Sequence, residues 1–338
     1  MARIVLGLGS SHGPMLSTPP AQWDLRAGAD RSNPRHAWRG ATLDFAALKT
    51  KRNEDFATQC AVEERQRRYD LCQRALDTLA ARFRAAAPDL VVLVGNDQRE
   101  VFKEDFTGAF TLFTGDAIEN VPLDEARRAR LPPGIAVAEA GHCPPEGAVY
   151  PGAPVFARGL VRSLVADGFD VAQSARLPRG DDRQQGIPHA FGFVYRRIMQ
   201  DRPPPSVPVF VNGGVPDNIP TAARCLAFGH ALRRAIDAWG EDAKVALLAS
   251  GGWTHFVIDE ELDARFLAAM RARDEAALAA IPEDHFLGNT SEMKNWYPVA
   301  AAMNGLGWNM NLIDYVPCYR TEAGTGNAMA FATWEQHD

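Results

Sequence analysis

Imidazole and carboxylate groups are the side chains best suited to chemistry near neutral pH, and three of them stand out here by position. His12, in "GLGSSHGPML", and His255, in "ASGGWTHFVIDE", each follow an apolar run and a turn of small residues, an arrangement that delivers an imidazole to the tip of a buried strand. Glu292, in "TSEMKNW", belongs to the first turn of an expected helix starting near Ser291, where a carboxylate also complements the helix dipole. Neutral imidazole and carboxylate on one side of a divalent ion, with the other positions open, are the ligands by which non-haem Fe(II) oxygenases bind a substrate and O2 together. His12 and Glu292 would supply two of three. No H-x-x-x-H or H-E-x-x-H pair occurs, so such a site must be assembled from distant segments. Of the remaining histidines, His230 falls inside an amphipathic segment, His285 follows "IPED", and His337 is next to last; these read as structural or surface groups.

The elements that must bring these residues together are legible as four nearly continuous apolar runs: 3–9 (RIVLGLG), 89–97 (DLVVLVGND), 208–214 (PVFVNGG) and 244–252 (KVALLASGG). Strands buried on both faces read this way. Helical periodicity fills 61–87 and 220–239. Helices alternating with buried strands predict an α/β fold, a central, mostly buried β-sheet flanked by helices on both faces, in one large domain spanning 1–338. Each run ends in a polar or glycine cluster: Ser10-Ser11-His12, Asn96-Asp97-Gln98, Asn212-Gly213-Gly214, and Gly251-Gly252 leading to His255. Ligands of open α/β sheets bind at the carboxyl ends of strands, so chemistry should converge there. Residues 17–56, rich in Pro, Arg, Asp and Asn, are expected as a long active-site loop.

Composition limits the partners. With 338 residues, 46% hydrophobic, the chain has ample core material, and a net charge of −6 gives no electrostatic reason to bind nucleic acid or an anionic membrane. Five scattered cysteines without a C-x-x-C pair suggest neither a disulfide framework nor a cysteine zinc site, and no run of 18 apolar residues occurs. The expectation is a cytoplasmic protein acting on a small molecule. "GLGSSHG" is not the G-x-S-x-G of a serine nucleophile, and "AGTGNA" does not fit a dinucleotide fingerprint.

Seven segments, "SSHGPMLSTPPAQWDLR", "LVVLVGNDQREVF", "PHAFGFVYRRIM", "PTAARCLAFGHALRRAI", "ASGGWTHFVIDE", "TSEMKNW" and "DYVPCYRTEAGTGNAMAFATW", occur in the order found in class III extradiol ring-cleaving dioxygenases. The chain resembles the branch related to the protocatechuate 4,5-dioxygenase β subunit, and within it the 3-O-methylgallate dioxygenase type. By that resemblance His12 and Glu292 bind Fe(II), His255 is the acid/base histidine, and His189, in "PHAFGF", contacts substrate or bound oxygen. The resemblance also implies a homodimer. Two departures stand out. Where the family closes an "NDH" with its second iron-binding histidine, this chain has Gln98, and either that amide or His36 of "SNPRHAWRG" is expected to fill the place, with His36 preferred. Where relatives carry an aromatic residue and prolines, it has Gly213-Gly214-Val215, so a pocket altered toward a different phenol is expected.

The implied reaction is Fe(II)-dependent cleavage, with O2, of a catechol-type ring such as methylgallate, gallate or protocatechuate. A catechol proton must leave and later return, the role given to His255, while His189 donates a hydrogen bond to developing negative charge. A ring carboxylate would meet Arg320 and the backbone N–H groups around Thr325, with Asn212 at the third tip also counted as substrate-binding. Two alternatives keep the fold: a metal-dependent hydrolase using activated water, and a non-catalytic small-molecule binding protein.

Overall fold

In the computed structural model, which describes residues 1–336, the four apolar runs become β1 (Arg3–Ser10), β4 (Leu90–Gly95), β9 (Ser206–Val211) and β10 (Lys244–Ser250). The hairpin β2 (His36–Trp38) and β3 (Ala41–Leu43) lies between the first two, and β5 (Phe110–Phe113), β6 (Ala117–Asn120), β7 (Ala148–Pro151) and β8 (Ala172–Ser174) lie between β4 and β9. The last strands are β11 (His255–Val257), β12 (Met310–Tyr319) and β13 (Thr325–Trp334). Nine of these form one sheet in the order β11-β13-β1-β10-β4-β9-β5-β8, with β12 paired to β13. Strands β1, β10, β4 and β9 are mutually parallel, whereas β13 runs antiparallel to β1 and β5 antiparallel to β9. The sheet is therefore mixed, and its four parallel strands place their carboxyl ends on one edge.

Side chains on a strand alternate faces, and the two core layers follow that period. Val92 and Val94, with Val245, Leu247 and Ala249, pack on one face; Val91 and Leu93, with Ala246 and Leu248, pack on the other. Among the described residues ten α-helices accompany the sheet: α1 (Asp24–Ser32), α2 (Phe45–Arg52), α3 (Val62–Ala86), α4 (Glu125–Arg130), α5 (Pro154–Ala166), α6 (His189–Phe193), α7 (Ala222–Asp237), α8 (Glu260–Ala272), α9 (Glu275–Ala279) and α10 (Trp296–Leu306). The first face is covered by α5, α7, α8 and α10, the second by α3 and α6. This is the expected single α/β domain, with helices on both faces and the long helical segments within one or two residues of their predicted bounds.

Two local expectations need correction. Residues 17–56 are not an open loop: they fold as α1, the β2–β3 hairpin and α2, because Asp44 caps α2 and Asp30 is buried against the sheet's last strand. Glu292 does not open α10 but lies on a 3₁₀ turn, Gly288–Asn295, that precedes it. Among the described residues no helix is long and apolar enough to cross a membrane. His337 lies outside the described residues.

Candidate functional site

A cavity of about 240 Å3 opens at the carboxyl ends of β1, β4 and β10. His12, Gln98, His189, His255 and Glu292 all line it. What holds them there is a set of bonds from the 3₁₀ turn to the strand tips. Asn295 Nδ2 donates to Asn96 Oδ1 (3.0 Å) and to the Ser250 carbonyl (2.7 Å), Ser291 Oγ donates to the Gly213 carbonyl (2.9 Å), and Thr290 Oγ donates to the His255 carbonyl (2.9 Å). The turn carrying Glu292 is thereby stitched to four separate segments. The glycine pair before His255 is required by the same approach: a Cβ on Gly251 would stand 2.4 Å from the Glu292 carbonyl oxygen, and one on Gly252 would stand 2.9 Å from His255 Cε1.

The Glu292 carboxylate is the hub. Its Oε2 accepts from Gly252 N–H at 2.7 Å and lies 3.4 Å from His12 Nε2; its Oε1 accepts from the Gln98 amide and lies 3.3 Å from His255 Nε2. The tautomers can be read from the other ring nitrogens. Ser250 Oγ gives its one proton to the Ala190 carbonyl (2.6 Å), so it must accept from His12 Nδ1–H (2.9 Å). His255 Nδ1 faces the Trp253 carbonyl at 2.6 Å, an acceptor only, so it too carries the proton. A neutral His12, which burial favours, then aims its Nε2 lone pair at the carboxylate, where that nitrogen is buried without a hydrogen-bond partner, and His255 Nε2 faces the same carboxylate. Burial opposes ionisation of Glu292; positive charge on His12 and His255, when those rings are protonated, would outweigh it and hold the carboxyl well below its ordinary 4.5. Burial also pulls the His12 imidazole below 6.5.

A second carboxylate–imidazole pair stands beside the first. Glu100 accepts from the His189 backbone N–H (2.9 Å) with one oxygen and from His189 Nδ1 with the other. Burial works against the charge on both, yet their mutual attraction takes Glu100 down to about 2 and His189 up to about 9. The His189 ring meets that of His12 edge-on, centroids 4.9 Å apart, and that of His142 at 5.9 Å. Burial, with the neighbouring His189, lowers His142 to about 4, so it is neutral. Apolar side chains also line the cavity: Leu123, Leu131, Ile135, Ala138, Phe193 and Phe256.

Four expected site residues lie elsewhere. His36 is buried in the β2–β3 hairpin with Nε2 bonded to the Asp30 carbonyl at 2.8 Å, so that nitrogen is already engaged and the ring is not in the cavity. Arg320 is locked bidentately onto Asp30 (2.6 and 2.9 Å) and is 1% exposed, which leaves it no free edge for a substrate carboxylate. Thr325 Oγ donates to the same Asp30 at 2.6 Å. Asn212 caps its own turn, bonding the Val215 and Asn218 carbonyls, in a small separate cleft; Gly213 and Gly214 likewise lie outside the cavity. Conversely, Glu100, His142, Gln184, Asn289 and Asn327 line the cavity and were not singled out from the sequence. None carried a spacing signal: Glu100 follows Gln98 by two residues, but Arg99 between them turns the chain at a positive φ of 59°.

A buried imidazole lone pair facing a carboxylate oxygen is two acceptors in contact, an arrangement a cation between them relieves. His12 and Glu292 therefore fit a divalent metal, and the Gln98 amide adjoins them. Among the described residues no group of three or more His, Cys, Asp or Glu side chains is placed to hold an ion, so the protein offers these two donors and an amide.

The family model of the catalytic LigB subunit of aromatic ring-opening dioxygenases matches residues 59–326. A gallate dioxygenase of Pseudomonas putida is 36% identical over 134 residues, a match covering 37% of this chain and 36% of that protein, so the chain spans about a third of the length of this curated relative. A solved structure of an uncharacterised Escherichia coli K12 protein aligns over 97% of this chain and 99% of its own, at 14% identity and a TM-score of 0.45.

Proposed function

This chain belongs to the family of catalytic LigB subunits of aromatic ring-opening dioxygenases, and from that premise we propose that it is an Fe(II)-dependent extradiol dioxygenase acting on a catechol-type aromatic of the methylgallate, gallate or protocatechuate kind. The observation that carries this reading is the buried, unpartnered His12 Nε2 facing Glu292 Oε2 at 3.4 Å inside a ring-sized cavity at the strand tips. His12 and Glu292 would hold the iron, and Gln98, beside Glu292, would take the third place in preference to His36 through its amide oxygen, with the amide turned from the orientation in which its nitrogen donates to Glu292. Ferrous iron, when bound there, supplies a centre that can engage the two catechol oxygens and O2 together.

The protein's own groups do the rest. His255 commits Nδ1 to the Trp253 carbonyl, which leaves Nε2 to accept a catechol proton and return it later. His189 donates from Nε2 to oxygen that gains negative charge. Phe193, Phe256 and the Leu123–Ala138 segment form an apolar wall that orients the ring and limits water. A substrate carboxylate would meet the amides of Gln184, Asn289 and Asn327. Oxygen-electrode assays of the Fe(II)-loaded protein against gallate, 3-O-methylgallate, protocatechuate and hydroxypyridine diols test the proposal. Oxygen uptake with at least one is expected; retention of zinc with no uptake would favour a hydrolase, and tight binding without turnover a binding protein.

A further inference from the structure

Glu100 has no part in the reading above, yet it makes the most specific contact in the cavity. His189 opens α6, a helix of five residues that follows Pro188, and nothing in so short an element fixes the orientation of its first side chain. The Glu100 carboxylate does so twice: one oxygen takes the backbone N–H of His189 at 2.9 Å, the other its ring Nδ1. A planar group that grips peptide and ring together leaves the imidazole one orientation. In that orientation Nε2 makes no hydrogen bond to any described residue, and the ring stands edge-on to His12 in the cavity.

The grip is itself anchored. Asp97 caps the β4 tip by accepting from the N–H groups of Glu100 (2.8 Å), Val101 (3.1 Å) and Phe102, and the Glu100 carbonyl accepts from Gln184 N–H at 2.7 Å. It also reaches beyond His189. The next residue, Ala190, accepts from Ser250 Oγ, which in turn accepts from His12 Nδ1–H. Glu100, the start of α6, Ser250 and His12 thus form one connected path.

We propose that Glu100 is a positioning residue that fixes the His189 ring, with Nε2 directed at the ligand's oxygen atoms, so that the two act as a unit. The chemistry it assists rests on the dioxygenase reading; the geometry does not. Glu100→Gln tests it, because an amide has only one acceptor oxygen for two donors. In protein labelled with 15N-histidine, a strongly downfield Nδ1 proton, assigned to His189 by its loss in His189→Gln, should vanish in Glu100→Gln. In the iron-loaded full chain, Glu100→Gln should keep its iron content, thermal midpoint and anaerobic affinity for the diol within about threefold, while kcat falls about 10²-fold. The double variant should be no slower than His189→Gln alone, the non-additivity expected of groups acting together. A resonance that persists in Glu100→Gln would overturn the proposal even if no diol were turned over, and so would a wild-type kcat or a double variant showing the product of both losses. A Glu100 that served only to close the cavity floor would instead lower the thermal midpoint and leave kcat and the double-variant comparison unmoved.

Discussion

The single residue that organises the site is Glu292, whose two oxygens receive Gly252 N–H and the Gln98 amide and face two imidazoles. Removing either donor next to the unpartnered lone pair should remove the metal: His12→Ala and Glu292→Ala are each expected to purify without iron by metal analysis. His255→Ala should keep iron and lose about 10²–10⁴ in kcat, the usual weight of a general acid/base. The third ligand separates two further variants. Gln98→Ala should lower iron content, whereas His36→Ala should leave it unchanged and cost about 1 kcal/mol of stability by deleting the buried bond to the Asp30 carbonyl, which keeps the Asn33 N–H. Iron loss in His36→Ala with none in Gln98→Ala would reverse the assignment. The types and tips of His12 and His255 were readable because they follow buried strands; whether His36 reached the site was not, since a hairpin 24 positions on can fold in any direction.

At the scale of elements, the strand that carries His255 is tied to α8 by one buried carboxyl group. Asp263, 1% exposed, accepts from Thr254 N–H (3.1 Å), Thr254 Oγ (2.7 Å) and the Tyr315 hydroxyl (2.6 Å). Burial raises it from an ordinary 3.8 to about 7. The folded state thus favours the protonated acid: the contribution to stability is fully present below the unfolded value near 3.8 and is lost as pH rises through about 7. The separation corresponds to about 4 kcal/mol at most. Urea midpoints at pH 5 and pH 8 should therefore fall with pH in the wild type, and Asp263→Asn should flatten that fall; an unchanged slope would remove Asp263 as its source. Hydrophobic patterning located β1, β4, β9, β10, α3 and α7 because each is buried with a single period. It did not locate the 3₁₀ turn under Glu292, which is held by side-chain bonds to distant tips rather than by any periodicity of its own.

For the whole molecule, the segment between β1 and α3 is fastened to the sheet by a buried ion pair. Asp30 of α1 accepts from Arg320 Nε and Nη2 and from Thr325 Oγ. Asp30→Ala should cost about 3–5 kcal/mol in denaturant unfolding, because it strands a buried guanidinium, while Asp30→Leu with Arg320→Met should recover most of that loss; additive losses in the pair would argue against the ion pair as the fastening. The same contact places Arg320 away from the cavity. A cation near a glycine turn resembles an anion site in sequence, and only the fold reveals that its partner lies 290 residues away. By itself the sequence determined the α/β class, the strand tips and the residue types of the site, since these follow from local apolar periodicity and from resemblance in order along the chain. Which side chains meet was decided by tertiary structure. The Glu292 turn closes over the tips, Glu100 grips His189, and Arg320 turns to Asp30, because each of these contacts joins residues whose separation along the chain carries no information about their separation in space; His36, which bonds Asp30 only six residues away, is held off the cavity by where that local unit docks.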